Sequence, residues 1–110
     1  MKKGDSVLRN LDKISPLDKE VIRFFQETAH EEKVEKMLVF GSRAYGDYER
    51  YSDIDLAVVA PQYEKSDWVM LYAKAIHEVR TVLRISLVNF VTNPAHLQLR
   101  ILQSGVVIYE

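Results

Sequence analysis

The chain contains no cysteine, which excludes a disulfide framework and a thiolate metal site. It has no apolar run that approaches the roughly 20 residues a membrane-spanning helix requires. Its charged start is not followed by the apolar segment of a secretion signal. We therefore expect a soluble protein of the cytoplasm.

Charge of one sign is not in excess either, since the net charge is −1. Non-specific affinity for DNA or RNA comes from neutralising many phosphates, so a broad nucleic-acid surface is not expected. With 110 residues and 47% hydrophobic content, the chain is large enough for one domain with a modest core. We assign that domain to residues 15–110 and expect residues 1–14 to be a flexible segment or a short helix.

The apolar pattern predicts a single α/β (α+β) domain in which helices pack against a mixed β-sheet. The predicted strands are residues 37–40, 53–60, 85–91 and 106–109, and the predicted helices are residues 15–33, one from 66, and 93–105. Ser15 and Ser66 are the expected caps of the first two helices, and Gly105 is the expected end of the third. The predicted buried helix positions are Leu17, Val21, Phe24, Phe25 and Thr28; Leu71, Ala75, Val79 and Val82; and Leu97, Ile101 and Leu102.

The first strand ends abruptly at Gly41-Ser42, where a small residue allows the backbone to turn. Such a turn can direct backbone N–H groups at an anion, and the Ser42 hydroxyl adds another donor. Arg43 and Arg50 could supply local positive charge for a phosphate. Taken alone, the pair Gly41-Ser42 also fits an ordinary turn, and Arg43 also fits an exposed charge at a helix start.

Asp53 and Asp55 are two residues apart on the second predicted strand, so both are expected to point to one face. Two ionised carboxylates held side by side repel each other, which favours a cation between them. Magnesium is the natural candidate because it takes hard oxygen ligands, commonly one or two carboxylates plus substrate phosphates. Alone, the two acids would also fit a solvated edge strand. Tyr45, Tyr48 and Tyr51 are secondary candidates, either for stacking on a base or for partial packing on the surface.

The two motifs together resemble the signature of the minimal nucleotidyltransferases, small members of the DNA polymerase β-like superfamily. The matching residues are Gly41-Ser42-Arg43-Ala44-Tyr45-Gly46 and Ser52-Asp53-Ile54-Asp55-Leu56-Ala57-Val58. The likeness extends to the first helix, the third strand and the end of the chain, so it covers most of the sequence.

The resemblance implies that Gly41, Ser42 and Arg43 hold the phosphates of a nucleoside triphosphate. It further implies that Asp53 and Asp55 are catalytic and bind one or two Mg²⁺ ions. The implied reaction moves a nucleoside monophosphate, AMP from ATP, to a hydroxyl of a partner protein or a small molecule. Members of this family are often paired with a small helical HEPN-domain protein in toxin–antitoxin modules, so the alternative is a catalytically weak, antitoxin-like binding module. Self-association is left open.

The sequence departs from the family pattern at one position. The family usually carries a third carboxylate on the strand after the second helix, and here that position is Ser86. A neutral serine does poorly the work of a metal-ligating acid that assists deprotonation of the attacking hydroxyl. Asn89 is an odd number of residues away and should face the other side of the sheet. Nucleotide binding is therefore expected to be retained more surely than turnover.

Overall fold

A computed structural model of the chain describes residues 7–14, 16–45, 53–81 and 83–110. It shows a mixed sheet with helices packed against it, which confirms the predicted α/β (α+β) class. The strands are β1 (Lys36–Phe40), β2 (Ile54–Val59), β3 (Ile85–Asn89) and β4 (Val106–Tyr109). The helices are α1 (Lys19–Ala29), α2 (Ser42–Tyr45), α3 (Lys65–His77) and α4 (Ala95–Ser104), and a 3₁₀ turn spans Leu11–Lys13.

The sheet has the strand order β3-β2-β1-β4. β1 runs antiparallel to both β2 and β4, whereas β2 and β3 are parallel. A parallel pair needs a long crossover connection, and α3 provides it. The end of β1, which leads into Gly41, is consequently next to the start of β2 at Asp55, and the start of β2 is next to the start of β3 at Ser86.

The two faces of the sheet are covered differently. Ile54, Leu56 and Val58 of β2 are fully buried in the main core with residues of α1 and α3, and we call this side the α1/α3 face. Ala57 of β2 belongs to a smaller cluster with Leu38 and Ile101 of α4, on what we call the α4 face. Side chains alternate along a strand, so Asp55 lies on the same side as Ala57.

Helix α1 begins later and ends earlier than the sequence predicts. Its N-cap is Asp18, whose carboxylate accepts a hydrogen bond from the Val21 backbone N–H at 3.0 Å. The expected cap, Ser15, lies outside the described residues. The helix ends at Ala29 instead of about residue 33, because the chain must turn before it enters β1. Four of the five predicted buried positions are confirmed within the helix: Val21, Phe24, Phe25 and Thr28. The fifth, Leu17, precedes the helix and is half-buried.

Helix α3 is capped by Glu64, not by Ser66. The Glu64 and Asp67 side chains form a reciprocal capping box, in which the Glu64 backbone N–H donates to Asp67 Oδ2 at 2.8 Å. Leu71 is buried as predicted, and Ala75 packs half-buried against the main core. Val79 does so too but follows the end of the helix. The predicted position Val82 lies outside the described residues.

Helix α4 follows Pro94 and ends at Gly105, as predicted. Ile101 is buried against the sheet, but Leu102 is 48% exposed, so its predicted inward position is wrong. Adjacent residues on a helix point about 100° apart, and only one of this pair can face the sheet. β3 also ends before Val91, because the chain turns at Phe90 to start this helix.

The described part of the N-terminal segment, residues 7–14, lies against the sheet. The Arg9 backbone N–H donates to the Ile108 carbonyl at 2.8 Å, and Asn10 Nδ2 donates to the Val107 carbonyl at 2.8 Å. Val7 and Leu8 pack against the main core. Among the described helices, none combines the length and the apolar character needed to span a membrane.

Candidate functional site

Gly41 follows the last residue of β1 and has a backbone φ of +74°, in the left-handed region that favours glycine. A Cβ atom placed here would collide with the carboxylate of Asp55. The Ala44 N–H donates to the Gly41 carbonyl at 3.0 Å and closes the turn into α2. Both the backbone conformation and the close approach to Asp55 therefore require glycine at this position.

Asp55 lies between two other residues of interest. In the strand register it is paired with Phe40 of β1 on one side and with Ser86 of β3 on the other. The turn at Gly41, the acid at Asp55 and the hydroxyl at Ser86 thus form a row across three neighbouring strands. Ser86 occupies the place beside the acid at which the resemblance implied a third carboxylate.

Asp53 is exposed and immediately precedes β2, which begins one residue later than predicted. The pKa of Asp55 is raised, first because the carboxyl is partly buried and second because of the negative charge of Asp53. Within the part of the chain that the structure describes, no hydrogen-bond donor compensates the Asp55 carboxylate. The two acids are close enough to repel, which is the electrostatic condition for cation binding.

The donor set fits a magnesium ion bound together with a substrate. Among the described residues there is no group of three or more His, Cys, Asp or Glu side chains that could hold a metal. Two carboxylates, as at Asp53 and Asp55, match the way Mg²⁺ is usually held, with substrate phosphates and waters as the remaining ligands. The arrangement does not fit a closed all-protein metal site.

Of the remaining predicted site residues, some belong to α2 and others lie outside the described residues. Ser42 begins α2 and is half-buried. Arg43 is only 3% exposed, so the alternative that it is an exposed helix-start charge is wrong. Tyr45 is the last residue of α2. Arg50, Tyr48 and Tyr51 lie outside the described residues.

Asn89 does not replace the missing acid. It is paired with Val58 in an uninterrupted parallel register, and Val58 belongs to the main core. Strand alternation therefore directs Asn89 to the α1/α3 face, whereas Ser86 is on the α4 face beside Asp55. Its Oδ1 atom is buried and has no hydrogen-bond partner among the described residues.

A cavity of about 350 Å³ lies on the α4 face next to the Gly41 turn. Its lining comes from the end of β1, from β3, from the loop before α4 and from α4 itself: Phe40, Gly41, Val88, Asn93, Leu97, Arg100, Ile101 and Ser104. Leu97 and Ile101 are predicted core positions, whereas the sequence predicts no ligand-binding role for the polar lining residues Asn93, Arg100 and Ser104. No local signal marks them, because they join the Gly41 turn only through the packing of α4 on the sheet.

A larger cavity of about 430 Å³ lies between α3 and the outer edge of β3. Its lining includes Tyr72, Ile76, Leu83, Ile85 and Leu87, together with Ser86 of the same strand. Gly41 is not among its lining residues, but Ser86, the register partner of Asp55, is, so the cavity adjoins the row of residues at Asp55 through β3.

The mixed sheet and its helices constitute a nucleotidyltransferase fold. Over residues 19–110, the sequence matches the family described as polymerase beta, nucleotidyltransferase. The chain belongs to this family, which confirms the resemblance at the level of the polymerase β-like nucleotidyltransferases.

Three solved structures share the fold. One is a toxin–antitoxin crystallised with AMP-PNP, at 23% identity and a TM-score of 0.57, covering 80% of this chain and 68% of that one. The others are two mutants of the toxin–antitoxin MntA-HpeT, both at 21% identity, with TM-scores of 0.55 and 0.60. They cover 83% and 86% of this chain and 71% and 73% of their own. No curated protein sequence matches the chain significantly.

Proposed function

We propose that this protein binds a nucleoside triphosphate with Mg²⁺ and transfers its nucleoside monophosphate, AMP from ATP, to a hydroxyl of a partner protein or a small molecule in the cytoplasm. The observation that carries the proposal is the Gly41 turn held directly against the Asp55 carboxylate, with the charge of Asp53 acting on the same group. Membership of the nucleotidyltransferase family supports the same reaction class.

In this proposal the residues have separate tasks. The turn at Gly41 and Ser42 receives the phosphate tail, because a glycine leaves the backbone open to close approach. Arg43 offsets phosphate charge from a buried position next to the turn. Asp53 and Asp55 would hold Mg²⁺, which supplies charge neutralisation on the phosphates when bound. The protein's contribution is mainly positioning and electrostatic stabilisation.

The transfer step requires a base, and Ser86 does not provide one. The acceptor oxygen forms a bond to the α-phosphorus, the bond from that phosphorus to the bridging oxygen breaks, and pyrophosphate leaves with the electron pair. The acceptor hydroxyl must also lose its proton to a base. A serine hydroxyl beside Asp55 is a poor base, so we expect slow transfer from the chain alone.

The test compares labelled-ATP transfer by the wild type, Ser86→Asp and Asp55→Asn in the presence of Mg²⁺ and a candidate acceptor. We expect Ser86→Asp to raise the rate by about 100-fold, the lower end of the range typical of a positioned base, and Asp55→Asn to abolish transfer. Ser66→Asp is the matched control, since it adds the same charge at an exposed position in the first turn of α3. Absence of both ATP binding and transfer in all variants would refute the proposed function.

A second candidate function is that of an antitoxin-like module that binds nucleotide and acts by complexing a helical HEPN-type partner. The fold neighbours crystallised as toxin–antitoxins support a partner, although they do not identify it. An exposed apolar strip of α3 favours this function, because Val69 is 59% exposed and Ile76, at the larger cavity, is 71% exposed. Exposed apolar side chains grouped on one helix are typical of an interaction surface.

The partner-binding function is tested by titrating a candidate HEPN-domain protein against the wild type and Ile76→Glu in a calorimeter. Loss of binding in Ile76→Glu, with unchanged ATP affinity, supports the antitoxin-like function. Equal affinity of both proteins for the partner rules out this part of α3 as the binding surface.

A further inference from the structure

We propose that the outer edge of β3, together with the 430 Å³ cavity beside it, binds an extended segment of a partner protein as an additional strand of the sheet. The segment carries apolar side chains at alternate positions and an acidic residue. This inference goes beyond the proposed function, because strand pairing requires neither a nucleotide nor Mg²⁺. It also differs from the docking of a helical partner on α3, because the backbone of the ligand is recognised.

The two edges of the sheet are covered differently. β4 is one edge strand, and the N-terminal segment lies against it, with the Arg9 N–H donating to the Ile108 carbonyl at 2.8 Å. β3 is the other edge strand, and within the described part of the chain no strand pairs with its outer side. Its residues, Ile85-Ser86-Leu87-Val88-Asn89, include no charged side chain and no proline, which commonly keep an open edge from pairing. β3 is therefore a template for another extended chain.

The hydrogen bonds to β2 show which backbone groups of β3 face outward. The Ile54 N–H donates to the Arg84 carbonyl at 2.8 Å, so residue 84 directs its carbonyl toward β2. Backbone groups alternate in direction along a strand, and every second residue therefore faces away from β2. The outward N–H and C=O groups are those of Ile85, Leu87 and Asn89.

Side chains of the protein itself close the far half of this edge. The Leu87 carbonyl accepts a hydrogen bond from the Tyr72 hydroxyl at 3.1 Å, and the Asn89 carbonyl accepts one from Asn93 Nδ2 at 2.7 Å. No described residue donates to the Ile85 carbonyl. In a parallel pair, a residue opposite position 86 donates to the Ile85 carbonyl and accepts from the Leu87 N–H, which leaves the Tyr72 bond intact. We therefore expect the added strand to run parallel to β3.

The cavity beside the edge fits the side chains of such a segment. Ile85 and Leu87 belong to the α1/α3 face, and they line the cavity together with Tyr72 and Ile76 of α3. Side chains at matching positions of neighbouring strands project to the same face of a sheet. Every second residue of the added strand consequently directs its side chain into the cavity, where the large apolar lining favours aliphatic groups.

The charge of the cavity favours an acidic segment. Among the described residues that line it, Arg84 alone is charged at neutral pH, and Arg84 is exposed. A guanidinium matches the two oxygens of a carboxylate, whereas a basic segment would be repelled. Because exposed ion pairs contribute little energy, this charge selects among segments and the backbone pairing supplies most of the affinity.

An extended foreign segment fits the edge better than a helix or a second copy of this chain. A helix bonds its backbone groups internally, so it cannot pair with a strand. A two-fold pair of β3 strands is antiparallel, and in that arrangement an outward residue uses both its N–H and its C=O. The bond from Tyr72 to the Leu87 carbonyl opposes such pairing.

The experiment starts from the full-length protein and an array of immobilised ten-residue peptides. Each peptide has aliphatic residues at alternate positions and one acidic residue, and the remaining positions vary. The peptide that binds most strongly is labelled with fluorescein, and its Kd is measured by anisotropy without nucleotide or Mg²⁺. Mg²⁺–ATP affinity is measured separately, so that failure of this inference is distinguished from failure of the proposed function.

Two variants with matched controls test the edge. Ile85→Pro removes an outward N–H and leaves the bonds to β2 in place, and Ile85→Val keeps that N–H. Arg84→Glu reverses the lining charge at an exposed position, and Lys65→Glu makes the same reversal at the exposed first residue of α3. Because Arg84 is exposed, this variant tests the site even if Ile85→Pro does not fold.

We expect Ile85→Pro to weaken peptide binding roughly 10-fold, as for the loss of one hydrogen bond together with the obstruction by the ring. Arg84→Glu should weaken it roughly 5-fold, the upper range for an exposed ion pair. Ile85→Val and Lys65→Glu should bind the peptide like the wild type, and all four variants should keep the Mg²⁺–ATP affinity of the wild type.

Methylation of one peptide nitrogen at a time tests the binding mode. Affinity should fall at every second position of the bound stretch, because alternate N–H groups of an added strand face β3. Methylation without this alternation, peptide binding retained by both Ile85→Pro and Arg84→Glu, or no peptide binding by the wild type would each overturn the inference. A wild-type dimer in sedimentation that Ile85→Pro dissociates would identify a second copy as the occupant and overturn the choice of a foreign segment.

Discussion

The two faces of the sheet differ in how completely helices cover them. On the α1/α3 face, β2 contributes three fully buried apolar side chains, and two helices cover them. On the α4 face, α4 covers Leu38 and Ala57, and a cavity remains beside the Gly41 turn. The first face is organised for stability, and the second leaves room for a ligand.

The carboxylates show the same difference. Asp18 accepts hydrogen bonds from the Val21 backbone at 3.0 Å and from the Thr81 hydroxyl at 2.6 Å, and so joins the start of α1 to the loop before β3. Asp67 caps α3 and accepts from Lys33, and these contacts lower its pKa. The pKa of Asp55 is raised instead. Within one small domain, some acids stabilise the fold while another is held at a cost that a bound cation would offset.

The largest expected effect is on the packed face. Phe25→Ala removes a fully buried ring from the main core and should lower the free energy of unfolding by about 3 to 5 kcal/mol. That loss is a large part of the roughly 5 to 15 kcal/mol that stabilises a typical domain. Urea unfolding followed by circular dichroism measures it. Leu99→Ala on the exposed side of α4 is the control and should change the value by less than about 0.5 kcal/mol.

The next effect is at the boundary between the two faces. Gly41→Ala places a Cβ in a left-handed conformation and against Asp55, so we expect a loss of about 1 to 3 kcal/mol and of Mg²⁺–ATP binding. Thermal melts with and without nucleotide measure both. Gly105→Ala brings its Cβ against the Ile101 carbonyl but has an ordinary φ of −80° and lies away from Asp55. It should lower stability while the folded protein still binds ATP; equal loss of binding in both variants would contradict a specific role for the Gly41 turn.

A smaller loss of stability is expected at Asp18, the acid that accepts two hydrogen bonds. Asp18→Ala removes the α1 cap and the bond from Thr81, which should cost about 1 kcal/mol. Thr81→Val leaves the α1 cap in place but removes the bond to Asp18 and the bond that Thr81 Oγ1 accepts from the Leu83 backbone N–H at 3.1 Å. Thr81→Ser keeps the hydroxyl for both bonds and is the control, which should change stability less than either variant. Chemical denaturation of the three variants measures the values, and an Asp18→Ala loss no larger than that of Thr81→Ser would show that the cap contributes little.

The smallest expected effect is a gain in stability, whereas the preceding variants lose stability. Because burial and the charge of Asp53 raise the pKa of Asp55 above its ordinary value of 3.8, the folded protein binds this proton more tightly than the unfolded chain. The stability contributed by the protonated group is full below that ordinary pKa and is lost as the pH rises through the folded-state pKa. Asp55→Asn should therefore stabilise the nucleotide-free protein at neutral pH, by at most about 1 kcal/mol because solvent screens a half-buried group.

Melting temperatures measured from about pH 3 to pH 7 test this prediction. The difference between Asp55→Asn and the wild type should grow as the pH rises and vanish at the acid end. Asp67→Asn is the control with the reverse sign, because the lowered pKa of Asp67 means that its contribution is present above the ordinary value and is lost as the pH falls. A wild type that is more stable than Asp55→Asn at neutral pH would contradict the comparison of the two classes of acid.

Local patterns predicted the elements well where one physical signal dominates. The alternation in β2 and the helical spacing of Val21, Phe24 and Phe25 give the correct buried sides. Prediction failed where two local signals compete. Ser15-Pro16 has the pattern of a helix cap, but Asp18 supplies the N-cap of α1. Ile101 and Leu102 are both apolar, but only Ile101 faces the sheet.

The sequence by itself determined the class of the protein, because the spacing of Gly41-Ser42 and Asp53-Ile54-Asp55 and the periodicity of the apolar residues are local properties. Only the tertiary structure decided what surrounds that motif. The strand register places Ser86 beside Asp55, and the packing of α4 brings Leu97 and Arg100 to the cavity that Gly41 also lines. Arg43 is buried for the same reason. Contacts between residues far apart in the chain depend on how strands pair and helices pack, and no short segment encodes them.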